Sequence, residues 1–439
     1  MNVPVQYTIA GRSASAVAAS VEAGIREGCL AAGAALPTVR ELARRLRVSP
    51  TTVAAAYQRL RLRGLVAGQG RRGTRVTHRP PLPARSAITA VAPRLRNLAD
   101  GNPDPALLPR LPALPREREP RLYGEPPHLP ELVERASAQL AADGIGGEIA
   151  IVSGGLDGIE RILQSHLTPG DRIAVEDPGF TGVMDLVSAL GLSAEPVAVD
   201  ERGIVPAALG RAIDRGARAI VVTPRAQNPT GAAIDAERAR ELRAVLDRRP
   251  RTLVIEDDHA GPVAGAPMVT LCPRPRHWAI VRSLSKSLGP DLRLAVVAGD
   301  AETISRVEGR QRLGQGWVSH ILQRTVVSLW RDPRMDARLA AAARRYSERR
   351  GALLAALERR GIAAQGRSGL NVWIAVPEES AIVAALAERG WAVRAGEPYR
   401  MRTAPAVRVT VSTLQPSEAE RLAADLADCM LGRQNVSAR

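Results

Sequence analysis

The chain has 439 residues, 45% of them apolar, and a formal net charge of +16 at pH 7. A chain of this length can bury more than one hydrophobic core, so we expect at least two domains. No apolar run is long enough to span a membrane, and the first residues lack the apolar core of a signal peptide, so we expect a cytoplasmic protein. The three cysteines are odd in number and far apart, which argues against a disulfide framework and against a zinc site.

The first 80 residues carry most of the positive charge. They contain 13 arginines and 3 glutamates, a net of +10, so the remaining 359 residues carry only +6. Charge concentrated in a fifth of a chain indicates an anionic partner, and double-stranded DNA is the simplest one.

Two short helices joined by a tight turn are predicted in this block, after a first helix over about 13–28. Thr38 and Glu41 form a capping box that starts a helix over about 39–46. Ser49 then caps a second helix that has Pro50 in its first turn. This pattern is typical of a helix-turn-helix whose second helix recognises DNA.

Short apolar segments at 65–66 and 74–76 flank a glycine-rich turn and predict a two-stranded wing. The order of helix, turn, helix and wing resembles the winged helix of the GntR family; the alternative is a charged helical bundle or a protein-interaction module. The expected DNA-binding residues are Arg40, Arg44, Arg45, Arg47, Ser49, Thr51, Thr52, Arg71 and Arg72.

Composition also suggests the domain boundaries. Residues 1–78 would form the winged helix, and the proline-rich residues 79–98 a semi-rigid linker. Residues 99–435 would form the second domain, with a large part at about 140–310 and a small part at about 335–435.

Apolar runs of strand length alternate with helical stretches in the second domain. The runs are IAIV, RIAV, AEPVAV, RAIVV, TLVIE, WAIV and LAVVA. Their alternation predicts an α/β fold with a mainly parallel sheet covered by helices, followed by a smaller α+β region. Such sheets bind ligands beyond the carboxyl ends of their strands.

Lys286 is the only lysine in the chain. A guanidinium is never deprotonated at biological pH, whereas a lysine amine with a lowered pKa attacks an aldehyde to form a Schiff base. Ser283 and Ser285 offer hydroxyls nearby, and Arg293 offers a guanidinium that matches a phosphate. These groups suit pyridoxal 5'-phosphate; the alternative is a surface lysine without a function.

The segment S-x-S-K-x-x-x-P-x-x-R at 283–293 resembles the cofactor-lysine motif of fold-type I pyridoxal-phosphate enzymes, the aspartate aminotransferase superfamily. Together with the N-terminal block, nearly the whole chain resembles MocR-type regulators, in which a GntR-like winged helix is fused to an aminotransferase-like domain. The resemblance implies a fold-type I domain, bound pyridoxal phosphate and a homodimer.

The resemblance also implies individual roles. Lys286 would hold the cofactor, Asp257 would keep its ring nitrogen protonated, and Asn228 of the QNPTG segment would donate to its phenolic oxygen. Phe180 would stack on the ring, although a lone phenylalanine is ordinarily a core residue, and QNPTG alone would read as a turn. The full set of implied cofactor-binding residues is Lys286, Asp257, Asn228, Phe180, Gly155, Leu156, Ser283, Ser285, Arg293, His259 and Tyr123.

His259 stands where relatives have a tyrosine that donates to the phenolic oxygen, and imidazole titrates near neutrality, so catalysis by this site is uncertain. Tyr123 would reach the cofactor phosphate of the partner subunit. Arg408, in a predicted strand, would bind a substrate carboxylate, unless it is a solvated strand arginine.

Three functions are compatible with these features. The favoured one is a transcription factor whose aminotransferase-like domain binds pyridoxal phosphate and senses an amino compound or the vitamer itself. The second is an aminotransferase with an accessory N-terminal module. The third, a structural module without cofactor, is disfavoured because Lys286 is retained. His259, His128 at a usual glycine position and the pair Arg225-Ala226 depart from the superfamily pattern and favour the sensor.

Overall fold

The computed structural model describes residues 7–31, 33–62, 65–68, 73–76, 91–112, 122–272 and 276–434. The chain divides into two compact units: residues 1–85 fall in the first and nearly all of residues 86–439 in the second. No helix within the described ranges is long and apolar enough to cross a membrane.

The N-terminal unit has the predicted helices and wing. Thr38 Oγ1 accepts a hydrogen bond from the Glu41 amide at 3.2 Å, and Ser49 Oγ accepts one from the Thr52 amide at 3.1 Å, so both predicted caps are present. The elements are α1 (Ala14–Arg26), α2 (Val39–Leu46), α3 (Pro50–Leu62), and the antiparallel strands β1 (Val66–Gly68) and β2 (Thr74–Val76). The core that they share includes Val53, Ala56, Tyr57 and Leu60 of α3, all fully buried as their spacing predicts.

The second unit begins with a short strand and then builds a large sheet with helices. Its first part contains β3 (Arg96–Asn97), α4 (Pro130–Ala142), β4 (Glu148–Val152), α5 (Gly155–His166), β5 (Arg172–Asp177), α6 (Thr181–Ala189), β6 (Ser193–Asp200), β7 (Gly203–Ile204), α7 (Pro206–Asp214), β8 (Ala217–Val222), α8 (Ala236–Asp247), β9 (Leu253–Asp258), β10 (Trp278–Ser283) and β11 (Ala295–Gly299).

The large sheet has the strand order β4-β11-β10-β9-β8-β5-β6-β7. Strands β10, β9, β8 and β5 pair in parallel, whereas β11 is antiparallel to both of its neighbours. Strand β4 therefore runs in the same direction as β10, and the carboxyl ends of β4, β5, β8, β9 and β10 share one edge. The seven apolar runs found in the sequence form seven of these strands, and the loops that follow them carry most of the predicted site residues.

Two further helices belong to the large part: α9 (Ala301–Arg312) packs on α5 and β4, and α10 (His320–Trp330) packs on α4. The smaller α+β part follows, with α11 (Met335–Glu358), β12 (Ala364–Gln365), β13 (Asn371–Ala375), α12 (Glu379–Glu388), β14 (Trp391–Ala392), β15 (Arg394–Ala395), β16 (Ala406–Thr410) and α13 (Pro416–Gln434). Strands β12-β13-β16-β15 form an antiparallel sheet, with a core of its own that includes Leu98 and Trp391.

Strand β3 pairs in parallel with β14, placing Arg96 opposite Trp391. The linker predicted over 79–98 includes Arg96 and Asn97, but these two residues form a strand of the second unit. Composition does not reveal a two-residue strand whose partner lies nearly 300 residues away in sequence. Residues 79–90 of the predicted linker lie outside the described residues.

Candidate cofactor and effector site

A cavity of about 390 Å³ lies at the carboxyl edge of the large sheet. Segments that are far apart in sequence line it, from the turn before α5 to strand β16. The structure brings together in this cavity every cofactor and substrate residue predicted from the sequence except Tyr123: Gly155, Leu156, Phe180, Asn228, Asp257, His259, Ser283, Ser285, Lys286, Arg293 and Arg408. Residues that the sequence did not single out also line it, among them Ala99, Asp100, Gly101, Asn371, Arg394 and Tyr399.

One end of the cavity is suited to a phosphate. Helix α5 begins there at Gly155, and the first N–H groups of a helix lack intrahelical partners. Gly154 has φ of 107°, and a Cβ at this position would lie 2.9 Å from a guanidinium nitrogen of Arg293. The Ser283 hydroxyl lies 3.2 Å from that of Ser285. Amide, hydroxyl and guanidinium donors therefore line the same end of the cavity.

Asp257, at the end of β9, is a buried carboxylate whose side chain makes no hydrogen bond to any described residue. Burial, followed by the charges of Glu176 and Asp258, raises its pKa to about 7. A cation placed against this carboxylate would relieve the cost of burying it. The protonated ring nitrogen of pyridoxal phosphate is such a cation, so Asp257 and the phosphate-binding end together fit this cofactor.

Asp258, the next residue, takes part in a buried ion-pair network. It accepts hydrogen bonds from Arg225 at 2.8 and 3.0 Å and from Arg282 at 2.7 Å. Arg282 also donates to Asp143 at 2.6 Å. Burial opposes the ionisation of Asp258, but the two guanidiniums outweigh it and lower the pKa of this carboxyl to about 2. Arg225, noted from the sequence only as a departure from the superfamily, therefore anchors the residue between Asp257 and His259.

His259 is held in one tautomer. Its Nε2 lies 2.8 Å from the carbonyl oxygen of Ala226, and because a carbonyl only accepts, Nε2 carries the hydrogen. Burial and then the charge of Lys286 lower the pKa of this imidazole to about 4. The neutral ring has donated its one N–H, so Nδ1 can only accept. The donor role that the resemblance implies for His259 is therefore not available in this conformation.

Lys286 is directed at the backbone on the opposite wall of the cavity. Its Nζ donates to the carbonyl of Gly101 at 2.6 Å. Burial and then the charge of Arg408 lower the pKa of the amine to about 8. A much larger fraction of Lys286 is thus neutral at pH 7 than of an ordinary lysine, and the neutral amine is the nucleophile.

Arg408 is a buried strand arginine, with 4% of its surface exposed, and is not solvated. It donates to Asn228 Oδ1 at 3.1 Å and to the carbonyl of Ala99, and its guanidinium lies 5.0 Å from the centre of the Tyr399 ring. Its Nε has no hydrogen-bond partner among the described residues. Because Asn228 Oδ1 accepts from Arg408, the Asn228 amide nitrogen is left as a donor for a ligand.

Tyr123 lies apart from the cavity lining. It is 92% exposed and packs edge-on against Trp317, with ring centres 5.7 Å apart. His128 lies with Nε2 3.3 Å from a carboxylate oxygen of Glu308, and burial lowers the pKa of this imidazole.

The predicted DNA-binding residues that the structure describes lie on and between α2 and α3. Arg45 pairs with Glu41 one turn earlier, and the Ser49 hydroxyl lies 2.7 Å from that of Thr51 and 2.8 Å from that of Thr52. Arg71 and Arg72 lie outside the described residues. The exposed residues of this group are Arg40, Arg44, Arg45, Arg47, Ser49 and Thr51.

Comparison with known proteins identifies relatives of both units. Residues 97–426 match the family model for aminotransferase class I and II, and residues 13–76 match that for bacterial regulatory proteins of the gntR family. The chain is 43% identical over 428 residues to the vitamin B6 salvage pathway transcriptional repressor PtsJ of Salmonella typhimurium, across 95% of this chain and 98% of PtsJ. It is 31% identical over 252 residues to the pyridoxine biosynthesis transcriptional regulator PdxR of Corynebacterium glutamicum, across 53% of each chain.

A solved structure shares the fold of the second unit. The α-aminoadipate aminotransferase LysN of Thermus thermophilus, complexed with N-(5'-phosphopyridoxyl)-L-leucine, has a TM-score of 0.69 and 20% identity. The match covers 81% of this chain and 98% of LysN. The second unit therefore has the aminotransferase fold.

Proposed function

Because the chain belongs to the aminotransferase class I and II family, carries a GntR-family domain and is a MocR-type DNA-binding transcriptional regulator, we propose that it binds pyridoxal phosphate at Lys286 and that occupancy of this site changes its affinity for DNA.

One observation carries the assignment of the cofactor. The single lysine of the chain, a buried carboxylate without a hydrogen-bond partner among the described residues, and the first turn of helix α5 all line one cavity. When bound, pyridoxal phosphate supplies an aldehyde that condenses with amines and a ring that accepts electrons. Arg293, Ser283 and Ser285 would hold its phosphate, and Asp257 would pair with its ring nitrogen.

The names of the relatives bear on the effector. PtsJ is named for vitamin B6 salvage and PdxR for pyridoxine biosynthesis, which supports a B6 vitamer as the signal. In that case the cofactor is itself the effector, and no further ligand is needed. An amine or amino acid is the other candidate, because Arg408 places a buried guanidinium in the same cavity, where it would hold a carboxylate.

The assembled form would be a homodimer. Large apolar side chains are exposed: the consecutive Leu122 and Tyr123 are 66% and 92% exposed, and Leu313, four residues before the Trp317 that Tyr123 contacts, is 88% exposed. Burying such a group against a second copy is favourable, and a dimer would present two winged helices to two half-sites. Light scattering at micromolar concentration should then give twice the mass of one chain, and a monomer with full cofactor occupancy would contradict this.

An aminotransferase is the second candidate, because Lys286 and Arg408 are both in place. His259 supports the sensor instead. Its single N–H is donated to Ala226, so it cannot take over donation to the cofactor from the tyrosine that this position usually has.

Borohydride reduction of the cofactor-loaded protein, followed by peptide mapping, tests the proposed site. We expect the label on Lys286 and no label in Lys286→Ala. A second measurement, of the affinity for an operator duplex selected from a random library, distinguishes a regulator from an aminotransferase. Keto-acid formation from amino acids without any change in operator affinity would favour the aminotransferase.

A further inference from the structure

A short segment of backbone lies across the cavity and contacts two of its cationic side chains, the half-buried Lys286 and the buried Arg408. We call residues 98–104 the strap. Lys286 Nζ donates to the carbonyl of Gly101 at 2.6 Å, and the guanidinium of Arg408 donates to the carbonyl of Ala99. Two cationic side chains that would bind ligand therefore both donate hydrogen bonds to backbone carbonyls within residues 99–101 of the strap.

The strap is fixed at both ends. At one end Leu98 donates to the carbonyl of Ala392 at 2.9 Å and accepts from the amide of Thr410 at 2.8 Å. At the other end the Asp104 carboxylate accepts from Arg349 at 2.9 Å, and the Asp104 amide donates to the Tyr346 hydroxyl at 3.1 Å. Between these anchors, the backbone of the strap is contacted by the side chains of Lys286 and Arg408.

There is space for the strap to move. A second cavity, of about 420 Å³, is lined by Asp100, Asn102 and Pro103 of the strap. Asp100 lines both cavities, so the strap forms part of the wall between them. Displacement away from Lys286 would carry the strap toward this second cavity without unfolding either anchor.

From this geometry we propose that the strap reports the state of Lys286: it is held while the lysine amine is free and is released when the amine is condensed with an aldehyde. The proposal rests on the proposed function, because it concerns regulation of that same site. In sequence the strap directly follows β3, near the start of the second unit.

The chemistry of the lysine accounts for release. Condensation forms a C=N bond to Nζ and breaks the C=O bond of the aldehyde, whose oxygen leaves as water. An ammonium has three N–H bonds, and after condensation at most one remains on a nitrogen whose direction is fixed by the C=N plane. The carbonyl of Gly101 therefore loses its charged donor. An amino acid carboxylate on Arg408 would compete for the second contact in the same way.

Hydrogen exchange of the full-length protein, without and with pyridoxal phosphate, tests the proposal at the backbone. We expect exchange of the amides at 99–102 to rise roughly ten-fold on loading, as for loss of a hydrogen bond from a charged group. Lys286→Met, without cofactor, should already exchange at the rate of the loaded wild type. Peptides from β13 serve as the internal control and should not change.

A matched pair of glycine substitutions distinguishes an effect on the strap from a general effect of backbone strain. Gly101 and Gly124 both have positive φ, 75° and 93°. A Cβ at Gly101 would lie 3.3 Å from the Arg408 guanidinium, whereas no described atom lies within 4 Å of a Cβ at Gly124. Gly101→Ala should raise strap exchange in the unloaded protein and reduce the effect of cofactor on operator affinity, and Gly124→Ala should do neither.

The outcomes distinguish the two proposals. If operator affinity responds to the cofactor while exchange at 99–102 is the same in all states, the strap proposal is wrong and the proposed function stands. If exchange responds as expected while operator affinity does not, the strap proposal is supported in its first part and the proposed regulatory function is overturned.

Discussion

At the scale of residues, the strand β9 shows how neighbouring carboxyls acquire opposite properties. Side chains alternate along a strand, so Asp257 faces the cavity and Asp258 faces the arginines. Burial without a partner raises the pKa of Asp257 to about 7, whereas the guanidiniums of Arg225 and Arg282 outweigh burial and lower the pKa of Asp258 to about 2. Asp258 is thus structural, and Asp257 is left to pair with a ligand.

Asp257→Asn should stabilise the cofactor-free protein at alkaline pH and weaken cofactor binding. The folded-state pKa of Asp257 is raised above its unfolded value, so its contribution to stability falls as the pH rises from about 4 to 7 and stays low above 7. Denaturant unfolding should give a variant more stable than wild type by about 1–4 kcal/mol at pH 8 and nearly equal to it at pH 4.

The exposed Asp291→Asn serves as the control and should leave both the stability and its pH dependence unchanged. Equal stability of Asp257→Asn and wild type at pH 8 would mean that Asp257 has a partner in the unloaded protein.

At the scale of elements, the sequence was most informative where a pattern is local. The seven apolar runs, the caps at Thr38 and Ser49 and the motif around Lys286 are each contained in a few consecutive residues, and each is where it was predicted. Ala99, Gly101 and Tyr399 were missed because they reach the cavity only through pairing of β3 with β14 and of β16 with β13 and β15. The tautomer of His259 depends on a carbonyl 33 residues earlier, which no spacing reveals.

The buried ion-pair network around Asp258, at the end of β9, should be essential for the stability of the large sheet. Arg225→Met leaves Asp258 with one guanidinium instead of two in a site with no solvent, and we expect a loss of about 3–5 kcal/mol in unfolding experiments. Arg218→Met removes a surface pair with Asp171 and should cost no more than about 1 kcal/mol. Similar losses for the two variants would contradict the role given to Arg225.

The exposed arginines of α2 should determine the salt dependence of DNA binding. Each phosphate contact releases counterions, so Arg44→Gln and Arg45→Gln should each lower the slope of log K against log salt by about one unit. Arg389→Gln in the second unit, which pairs with Asp425, serves as the control. If the slope is unchanged in Arg44→Gln and Arg45→Gln as it is in the control, these arginines of α2 do not contact DNA phosphates.

At the scale of the whole molecule, a DNA-binding unit and an aminotransferase-fold unit are joined in one chain, and the regulatory account requires that their ligands be linked. A ligand shifts DNA binding only through its different affinity for the two states of the protein. The strap, which contacts Lys286 and directly follows β3, is the element to which we assign those states.

The most direct test of this account is the operator affinity of the full-length protein, unloaded and loaded with pyridoxal phosphate, in wild type and Lys286→Ala. We predict that loading changes the affinity of wild type by about 5- to 150-fold, equivalent to a coupling of about 1–3 kcal/mol, and that operator DNA changes cofactor affinity by the same factor. Lys286→Ala should show no such difference. Equal operator affinity of loaded and unloaded wild type would contradict the account and leave the second unit without a sensory role.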